Sequence, residues 1–211
     1  MCGRFNLRNP KDIVERFGFM DWSDKRPEPR FNIAPSQEIL TIVQLPLEGT
    51  TVQTAIWGLK PSGMSRSLIN VRAESLGTSA VVRGARRCLI PATGFYEWRN
   101  RQPMHIHRKD DQPFAFAGLW LPGHVATAAI LTVKPNEVMA TIHNRMPAIL
   151  RQDDEERWLD PNSDPRTLLE PIEADELEAY PVKPLVNSWA NEGSELIAPA
   201  EPAPQQLELL Q

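Results

Sequence analysis

Short runs of β-forming residues, separated by glycine, proline and asparagine, constrain the fold of this chain more than any other feature of its sequence. Each run is strand-sized, as in EILTIVQ at 38–44 and GFYEW at 94–98. Runs of this length between turn residues are typical of an antiparallel sheet. The predicted strands lie at 38–44, 51–57, 87–90, 94–98, 104–108, 113–119 and 126–133.

Helical segments are short and scattered between these runs. Ile13, Val14 and Phe17 fall at helical spacing before Gly18, which predicts a helix over 10–18. The proline-rich stretch 20–37 is predicted to be a loop that can line a cleft. Further helices are predicted at 71–79, 135–142, 153–159 and 164–170. We therefore expect an α+β fold with a mainly antiparallel sheet.

The C-terminal end differs in composition from the rest of the chain. From Ala198 onward, the sequence APAEPAPQQLELLQ is rich in proline, alanine and glutamine and has little apolar surface to bury. Such a composition predicts disorder. We expect a single domain over 1–197 and a disordered tail over 198–211.

Composition excludes several classes of protein. The chain has 211 residues, a formal net charge of −4 and a pI near 5.6, which argue against a protein that coats nucleic acid through bulk charge. Its apolar runs are much shorter than the roughly 18 residues of a membrane helix, and residues 1–20 lack a signal-peptide core. Its two cysteines, Cys2 and Cys88, are too few for a disulfide scaffold. We expect a cytoplasmic monomer that contacts no membrane.

The N-terminal sequence Met-Cys-Gly-Arg is a candidate reactive site. A small second residue normally allows removal of Met1, which leaves Cys2 with a free α-amine beside its thiol. An α-amine has a reference pKa of about 7.7–8.0, against about 10.4 for lysine, so a useful fraction is nucleophilic at neutral pH. Such a 1,2-aminothiol can form a Schiff base with an aldehyde and then close a thiazolidine ring. A cysteine near a chain end is also often only a small residue, so other motifs have to decide.

Two further motifs supply acid–base groups. Glu97 lies between Tyr96 and Trp98 in GFYEW, and His143 lies two residues before Arg145 in TIHNRMP. Both side chains can transfer protons during imine formation or opening of a sugar ring. The alternatives are that Glu97 faces solvent on an alternating strand and that His143 caps a helix or satisfies a core hydrogen bond.

Several polar and aromatic side chains near these motifs could contact nucleic acid. Asn70, Arg72 and Glu74 have the spacing of one strand face or of the first turn of a helix, so they could converge on one site. Asn70 could there hydrogen-bond a sugar or an imine. Trp57 and Trp98 could stack on bases, worth about 1–3 kcal/mol each, although core packing is an equal alternative. Surface charge is the usual role of arginine, but these arginines could bind phosphates: Arg4, Arg72, Arg83, Arg86, Arg87 and Arg145.

Three other residues that could bind metal or act as nucleophiles are predicted to have no such role. His105 and His107 have the spacing of a strand face, but no third or fourth metal ligand is evident nearby, so we expect surface residues. Cys88 lies in an apolar strand and is predicted to be a small buried hydrophobe. We expect neither a metal nor another cofactor.

These motifs, and the order in which they follow one another along the chain, resemble those of the SRAP family (SOS response-associated peptidase), whose members process abasic sites in DNA. The resemblance spans nearly the whole chain. The matching blocks are MCGRF at 1–5, RFNIAPSQ at 30–37, WGLKP at 57–61, INVRAES at 69–75, ARRCLIPATGFYEW at 85–98, ILTVKPN at 130–136, IHNRMPAIL at 142–150 and VNSWANEGSELI at 186–197.

The resemblance implies a barrel-like β core with peripheral short helices and a sensor of abasic sites in single-stranded DNA. It implies that Cys2 is the covalent nucleophile, that Asn70 orients the sugar, and that Glu97 and His143 transfer protons. By the same carry-over, Arg4, Arg72 and Arg145 hold phosphates, and Trp57 and Pro35 support the strands at the lesion. Lyase and autopeptidase activities, a role in DNA repair and the SOS response, and association with the nucleoid after DNA damage are also implied.

Two other functional classes are open to a chain with these residues. Class II glutamine amidotransferases also begin Met-Cys-Gly and use an N-terminal cysteine on an amide, but this chain continues with GFYEW and IHNRMP in the SRAP order. A single-strand DNA-binding module without chemistry is the third possibility. Replacing Cys2 by alanine separates them, because plain binding should survive while crosslinking or hydrolysis disappears.

Overall fold

The computed structural model describes residues 2–18, 22, 27–79, 82 and 84–201. Its β-strands form two sheets, and its helices are short. The strands are β1 (Arg4–Leu7), β2 (Arg30–Ile33), β3 (Glu38–Leu45), β4 (Gly49–Trp57), β5 (Asn70–Arg72), β6 (Arg86–Ala92), β7 (Gly94–Arg99), β8 (Gln102–Arg108), β9 (Phe114–Leu121), β10 (Thr127–Val133), β11 (Met146–Pro147) and β12 (Leu177–Pro181). The α-helices are α1 (Pro10–Arg16), α2 (Glu137–Ala140) and α3 (Glu155–Leu159).

Five strands of the larger sheet close into a ring. In the order β4, β3, β6 and β9, each strand pairs with the next in antiparallel fashion, and β10 joins β9 back to β4. The β10–β4 pairing is parallel, as is that between β10 and β5. Closure leaves these strands without a free edge. The expected α+β fold with a barrel-like core is confirmed.

The second sheet, in the order β12, β8, β7, β1 and β2, packs against this barrel through aromatic side chains. Phe5 on β1 makes edge-to-face contacts with Trp57 and Phe116, at ring-centroid distances of 5.1 and 5.9 Å. Phe95 on β7 contacts Phe116 at 6.0 Å. This packing fixes β1 against the barrel, and with it Cys2 and Gly3, which directly precede β1.

The predicted strands all occur, whereas several helices and loops differ from prediction. The region 71–79, predicted as a helix, contains the end of β5 and a 3-10 turn at Ala73–Ser75, because residues 70–72 pair with β10. The helix predicted at 164–170 is a 3-10 segment, Pro165–Leu168. The loop predicted at 20–37 contains β2, while its residues 20–21 and 23–26 lie outside the described part. The sequence does not predict five strands, because two to five residues carry too little periodicity: β1, β2, β5, β11 and β12.

The predicted surface position of His105 and His107 is wrong. Both side chains are buried, with 0% and 7% of their surface exposed. They lie on β8, which is covered on one edge by β7 and on the other by β12. The sequence did not reveal β12, so the burial of β8 could not be anticipated.

The end of the described chain joins the second sheet. Pro199 forms an isolated bridge with Val182, and the N–H of Ala200 donates to the carbonyl of Pro181 at 2.8 Å. Most of the predicted tail, 202–211, lies outside the described residues. No helix in the described ranges is long and apolar enough to cross a membrane.

Candidate active site and nucleic-acid interface

Cys2 is held in the space between the two sheets, directly before β1. Its side chain is fully buried, and its thiol donates a weak hydrogen bond to the carbonyl of Arg4 at 3.5 Å. Burial raises the pKa of the Cys2 thiol, and the nearby carboxylate of Glu97 raises it further. The thiol is therefore neutral at physiological pH and has to lose its proton when it forms a bond to carbon.

Glu97 lies on β7, beside β1 in the second sheet. Tyr96 pairs with Arg4 in the register between these strands, which brings Glu97 level with the residues that precede β1. The Glu97 side chain is only 3% exposed, so the solvent-facing alternative is excluded. Its charge acts on the Cys2 thiol, which places a buried carboxylate beside the candidate nucleophile.

Asn70 holds the backbone of Cys2 from the barrel side. Its amide nitrogen donates to the Cys2 carbonyl at 2.8 Å. Its Oδ1 atom is buried and accepts no hydrogen bond from the part of the chain that the structure describes. An amide with one arm on Cys2 and a second acceptor facing the same site can bind a hydroxyl or protonated nitrogen of a reacting group.

Trp57 supports this arrangement and is not positioned to stack on a base. The side chain is fully buried, and its indole N–H donates to the carbonyl of Ile69 at 2.9 Å. It also contacts Phe5, as described above. The base-contacting role predicted for Trp57 is thus corrected to a positioning role, because this indole braces Ile69, which is next to Asn70, and Phe5 on β1, the strand that follows Cys2.

His143 and Arg145 lie on the loop before β11, which pairs with β10 beside β5. The N–H of Arg145 donates to His143 Nδ1 at 3.0 Å, and the Arg145 carbonyl oxygen lies 3.1 Å from the same Nδ1 atom. This ring nitrogen is therefore held against the Arg145 backbone. The Arg145 guanidinium forms a two-pronged ion pair with Glu74 at 2.7 and 2.9 Å. This pair lowers the pKa of Glu74 to about 2. Arg145 is therefore occupied by a carboxylate, and a phosphate would have to displace Glu74.

Arg4 and Arg72 differ from Arg145 in their partners. The Arg4 guanidinium donates to Asn32 Oδ1 and to the Val186 carbonyl, both at 2.8 Å and both uncharged. Arg72 ends β5 with an exposed side chain, two residues after Asn70 and so about 7 Å along the strand. Arg4 follows Cys2 by two residues, and Arg72 follows Asn70 by two residues. Since a hydrogen bond joins Asn70 to Cys2, both cations belong to the surroundings of the candidate site.

The other predicted DNA contacts fall in different places. Trp98 is half-buried, and its indole N–H donates to Asn187 Oδ1 at 2.8 Å. Pro35 is half-buried at a turn whose next residue, Ser36, donates its N–H to the Trp57 carbonyl. Arg86 lines a separate cleft of about 1380 Å³ between α1, α3 and the β3–β4 turn. Since that cleft contains none of the four predicted catalytic residues, the structure does not join Arg86 to them.

The two buried histidines form a structural network. His105 Nε2 lies 2.9 Å from the Asn6 amide nitrogen, and His105 Nδ1 lies 3.0 Å from the Tyr180 hydroxyl. The Tyr180 hydroxyl donates to the Ile197 carbonyl, which assigns the Nδ1–H tautomer to His105. Burial and the neighbouring His107 lower the pKa of His105. No cluster of three or more potential metal ligands occurs within the described ranges.

Sequence reasoning missed the role of Asn32. This fully buried residue accepts from Arg4 and donates to the carbonyls of Ser188 and Asn191, at 2.8 and 2.9 Å. It therefore joins the N-terminal strand to a segment more than 150 residues away. The signal that could have indicated it is a polar residue between two large apolar ones, Phe31 and Ile33, in the RFNIAPSQ block.

Comparison with known proteins identifies similar chains. The family model of the SOS response associated peptidase (SRAP) matches residues 1–189. The abasic site processing protein YoqW of Bacillus subtilis is 40% identical, over 93% of this chain and 99% of that protein. YedK of Escherichia coli, also described as an abasic site processing protein, is 26% identical over 94% of this chain and 100% of that protein. A crystal structure of a Bacteroides thetaiotaomicron protein has the same fold, with a TM-score of 0.80 and 23% identity over 95% of this chain and 100% of that one.

Proposed function

The chain belongs to the SRAP family of abasic site processing proteins, and from this premise we propose that it captures abasic sites in single-stranded DNA covalently through Cys2. The observation that carries the proposal is the position of Cys2. The thiol is buried, the Cys2 backbone is held by Asn70, and the buried Glu97 carboxylate lies on the strand that pairs with β1 and raises the pKa of the thiol. A cysteine that served only as a small terminal residue would need neither contact.

The proposed reaction begins at the α-amine of Cys2 after removal of Met1. The amine nitrogen attacks the C1′ aldehyde of the ring-opened abasic deoxyribose, and the resulting carbinolamine loses one water to give an imine. The thiol sulfur then adds to the imine carbon, the nitrogen takes up a proton, and a five-membered thiazolidine forms. The balance is one aldehyde and one aminothiol giving one thiazolidine and one water.

Proton transfer is the step for which the site is built. Because burial keeps the Cys2 thiol protonated, ring closure needs a nearby base. The Glu97 carboxylate, whose charge raises the pKa of that thiol, is the candidate. The Nδ1 atom of His143 is held against the Arg145 backbone, so Nε2 is the ring nitrogen to which we assign proton transfer. We assign Glu97 to the thiol and the carbinolamine, and His143 to opening of the sugar ring. The same imine could pass to β-elimination, which would be the lyase activity expected for the family.

The flanking cations are assigned to the DNA strand. Arg4 donates to the neutral oxygens of Asn32 and Val186, so no carboxylate neutralises it through these hydrogen bonds. Arg72 is exposed at the end of β5. Each can take a phosphate on one side of the abasic residue, which gives an acidic protein a local site for a polyanion.

The test combines denaturing gel electrophoresis with intact mass measurement. The protein and its Cys2→Ala variant are incubated with single-stranded DNA that carries one abasic site. We expect a heat-stable adduct with the unmodified protein, with a mass that lacks Met1 and corresponds to loss of one water. Cys2→Ala retains an amine but no thiol, so its adduct should appear only after borohydride reduction of the imine.

Two results would contradict the proposal. A heat-stable adduct that survives in Cys2→Ala would show that another group is the nucleophile. Absence of any adduct with protein from which Met1 has been removed would end the crosslinking assignment and leave amide hydrolysis or plain DNA binding. Mass spectra of protein made without an aminopeptidase test whether Met1 leaves by autoproteolysis, as the peptidase label of the family suggests.

A further inference from the structure

Trp189 is a large aromatic side chain exposed on a braced turn. Its side chain is 66% exposed, whereas Trp57 and Trp158 are fully buried. The turn is closed by the N–H of Asn191, which donates to the Ser188 carbonyl at 3.1 Å. The Asn191 amide also donates to the Leu185 carbonyl at 2.8 Å. The exposed indole is thus presented by a segment whose backbone is fixed.

The same segment is tied to the candidate active site at three places. The guanidinium of Arg4, a residue two positions from Cys2, donates to the Val186 carbonyl. The indole of Trp98, which is next to Glu97, donates to Asn187 Oδ1. The amide of Asn32 donates to the carbonyls at both ends of the turn, residues 188 and 191. The turn is therefore linked to the site by hydrogen bonds from Trp98 and Arg4, which lie one residue from Glu97 and two residues from Cys2. Asn32 adds an indirect link, because it also accepts from Arg4.

The exposed apolar surface around Trp189 is large enough to bind one flat aromatic ring but too small for a protein partner. Among the large apolar side chains that the structure describes as exposed, only Leu185, 43% exposed, shares this segment. One indole and one partly exposed leucine are far less than the apolar centre of a protein interface. A rigid exposed aromatic next to an arginine with uncharged partners is the combination that single-strand binders use, with the ring on a base and the cation on the backbone.

We propose that Trp189 stacks on an unpaired base that flanks the abasic residue, while Arg4 holds the intervening phosphate. This inference rests on the proposed capture of abasic DNA and adds a base-binding subsite to it. Stacking on the face of a base needs no particular sequence, so the subsite would hold the strand beside the lesion whatever base is present.

The experiment uses fluorescence anisotropy with a labelled single strand that contains one tetrahydrofuran residue. This abasic analogue has no aldehyde, so binding is measured without crosslinking. We expect Trp189→Ala to weaken binding by about 5- to 150-fold, from the usual energy of a base–aromatic stack. Trp189→Phe should recover part of the loss. Leu47→Ala removes a 99% exposed apolar side chain from the β3–β4 turn and should bind as the unmodified protein does.

The position of the stacked base is found by replacing each flanking nucleotide in turn with a second tetrahydrofuran residue. At one position the difference between the unmodified protein and Trp189→Ala should disappear, because the base that stacks is then missing. The inference is overturned if Trp189→Ala binds the single strand with unchanged affinity, or if its loss of affinity is the same on every substrate. It is also overturned if the variant changes only the sedimentation behaviour, which would assign the indole to a second copy of the chain.

Crosslinking to a natural abasic site, measured in parallel, separates failure of this inference from failure of the proposed function. If the unmodified protein crosslinks but Trp189→Ala binds equally well, the capture reaction stands and the stacking subsite does not. If the unmodified protein neither binds nor crosslinks, both are wrong.

Discussion

Replacing Asn70 by alanine tests whether the positioning of Cys2 controls the rate of capture. The substitution removes the 2.8 Å hydrogen bond from the Asn70 amide to the Cys2 carbonyl, the direct link that the barrel makes to this residue through a side chain. Loss of a partly buried hydrogen bond that leaves its acceptor unsatisfied costs about 1–3 kcal/mol. Since 1.36 kcal/mol is tenfold in rate, the expected slowing is about 5- to 150-fold if the bond orients Cys2 in the transition state.

The assay is the time course of adduct formation on denaturing gels, with single-stranded abasic DNA and protein in saturating excess. Gln102→Ala is the matched control, because the Gln102 amide also donates to a backbone carbonyl, that of Val182 at 2.7 Å, without contacting Cys2. We expect Gln102→Ala to lower stability without slowing capture. The reasoning is refuted if Asn70→Ala reacts at the unmodified rate, or if both variants are slowed to the same extent.

Three other substitutions give independent predictions. Glu97→Gln should slow adduct formation by about 100-fold or more, because an amide cannot accept the thiol proton, and equal losses in rate and in affinity for the abasic analogue would contradict that role. Gly94→Ala should lower the free energy of unfolding, measured in urea, by about 2–4 kcal/mol. The added Cβ would lie 2.5 Å from the Nε2 atom of His105 and break the hydrogen bond between His105 and Asn6. Unchanged stability would show that these two side chains can move to accommodate the methyl group. Burial raises the pKa of Glu155 to about 7, even though its carboxylate pairs with Arg16. Between about pH 4.5 and pH 7 the folded state therefore binds more protons than the unfolded state. The free energy of unfolding should fall by about 3 kcal/mol as the pH rises through that window. Glu155→Gln should lack this fall in urea denaturation, and a variant that keeps it would assign the pH dependence elsewhere.

Much of the sheet structure could be predicted, because its signals are local. Seven strands were recognised from runs of β-forming residues between turns, and all seven are present with ends displaced by a few residues. The strands that escaped prediction are those that depend on a partner. β5 has three residues and exists because β10 offers it a parallel edge, so its backbone follows the neighbour and not its own helical preference.

The candidate site was predicted in its residue types but not in its contacts. Cys2, Asn70, Glu97 and His143 follow from motif chemistry and from the family resemblance, and the structure joins Cys2 to Asn70 and Glu97. The partners of the arginines could not be read from the sequence. Nothing in the order of residues indicates that Arg145 is neutralised by a glutamate 71 positions earlier.

Residue types and local patterns predict the candidate nucleophile and most strands, since an N-terminal cysteine is an aminothiol and runs of β-forming residues indicate strands whatever the rest of the chain does. Which groups are buried, which charges are neutralised and which aromatic side chains are exposed could be read only from the folded chain. Trp57 and Trp189 are the same residue type, yet the first is packed between the sheets and the second lies on a surface turn. The reason is that burial and pairing depend on contacts between distant segments, such as the 182 positions that separate Arg4 from Val186.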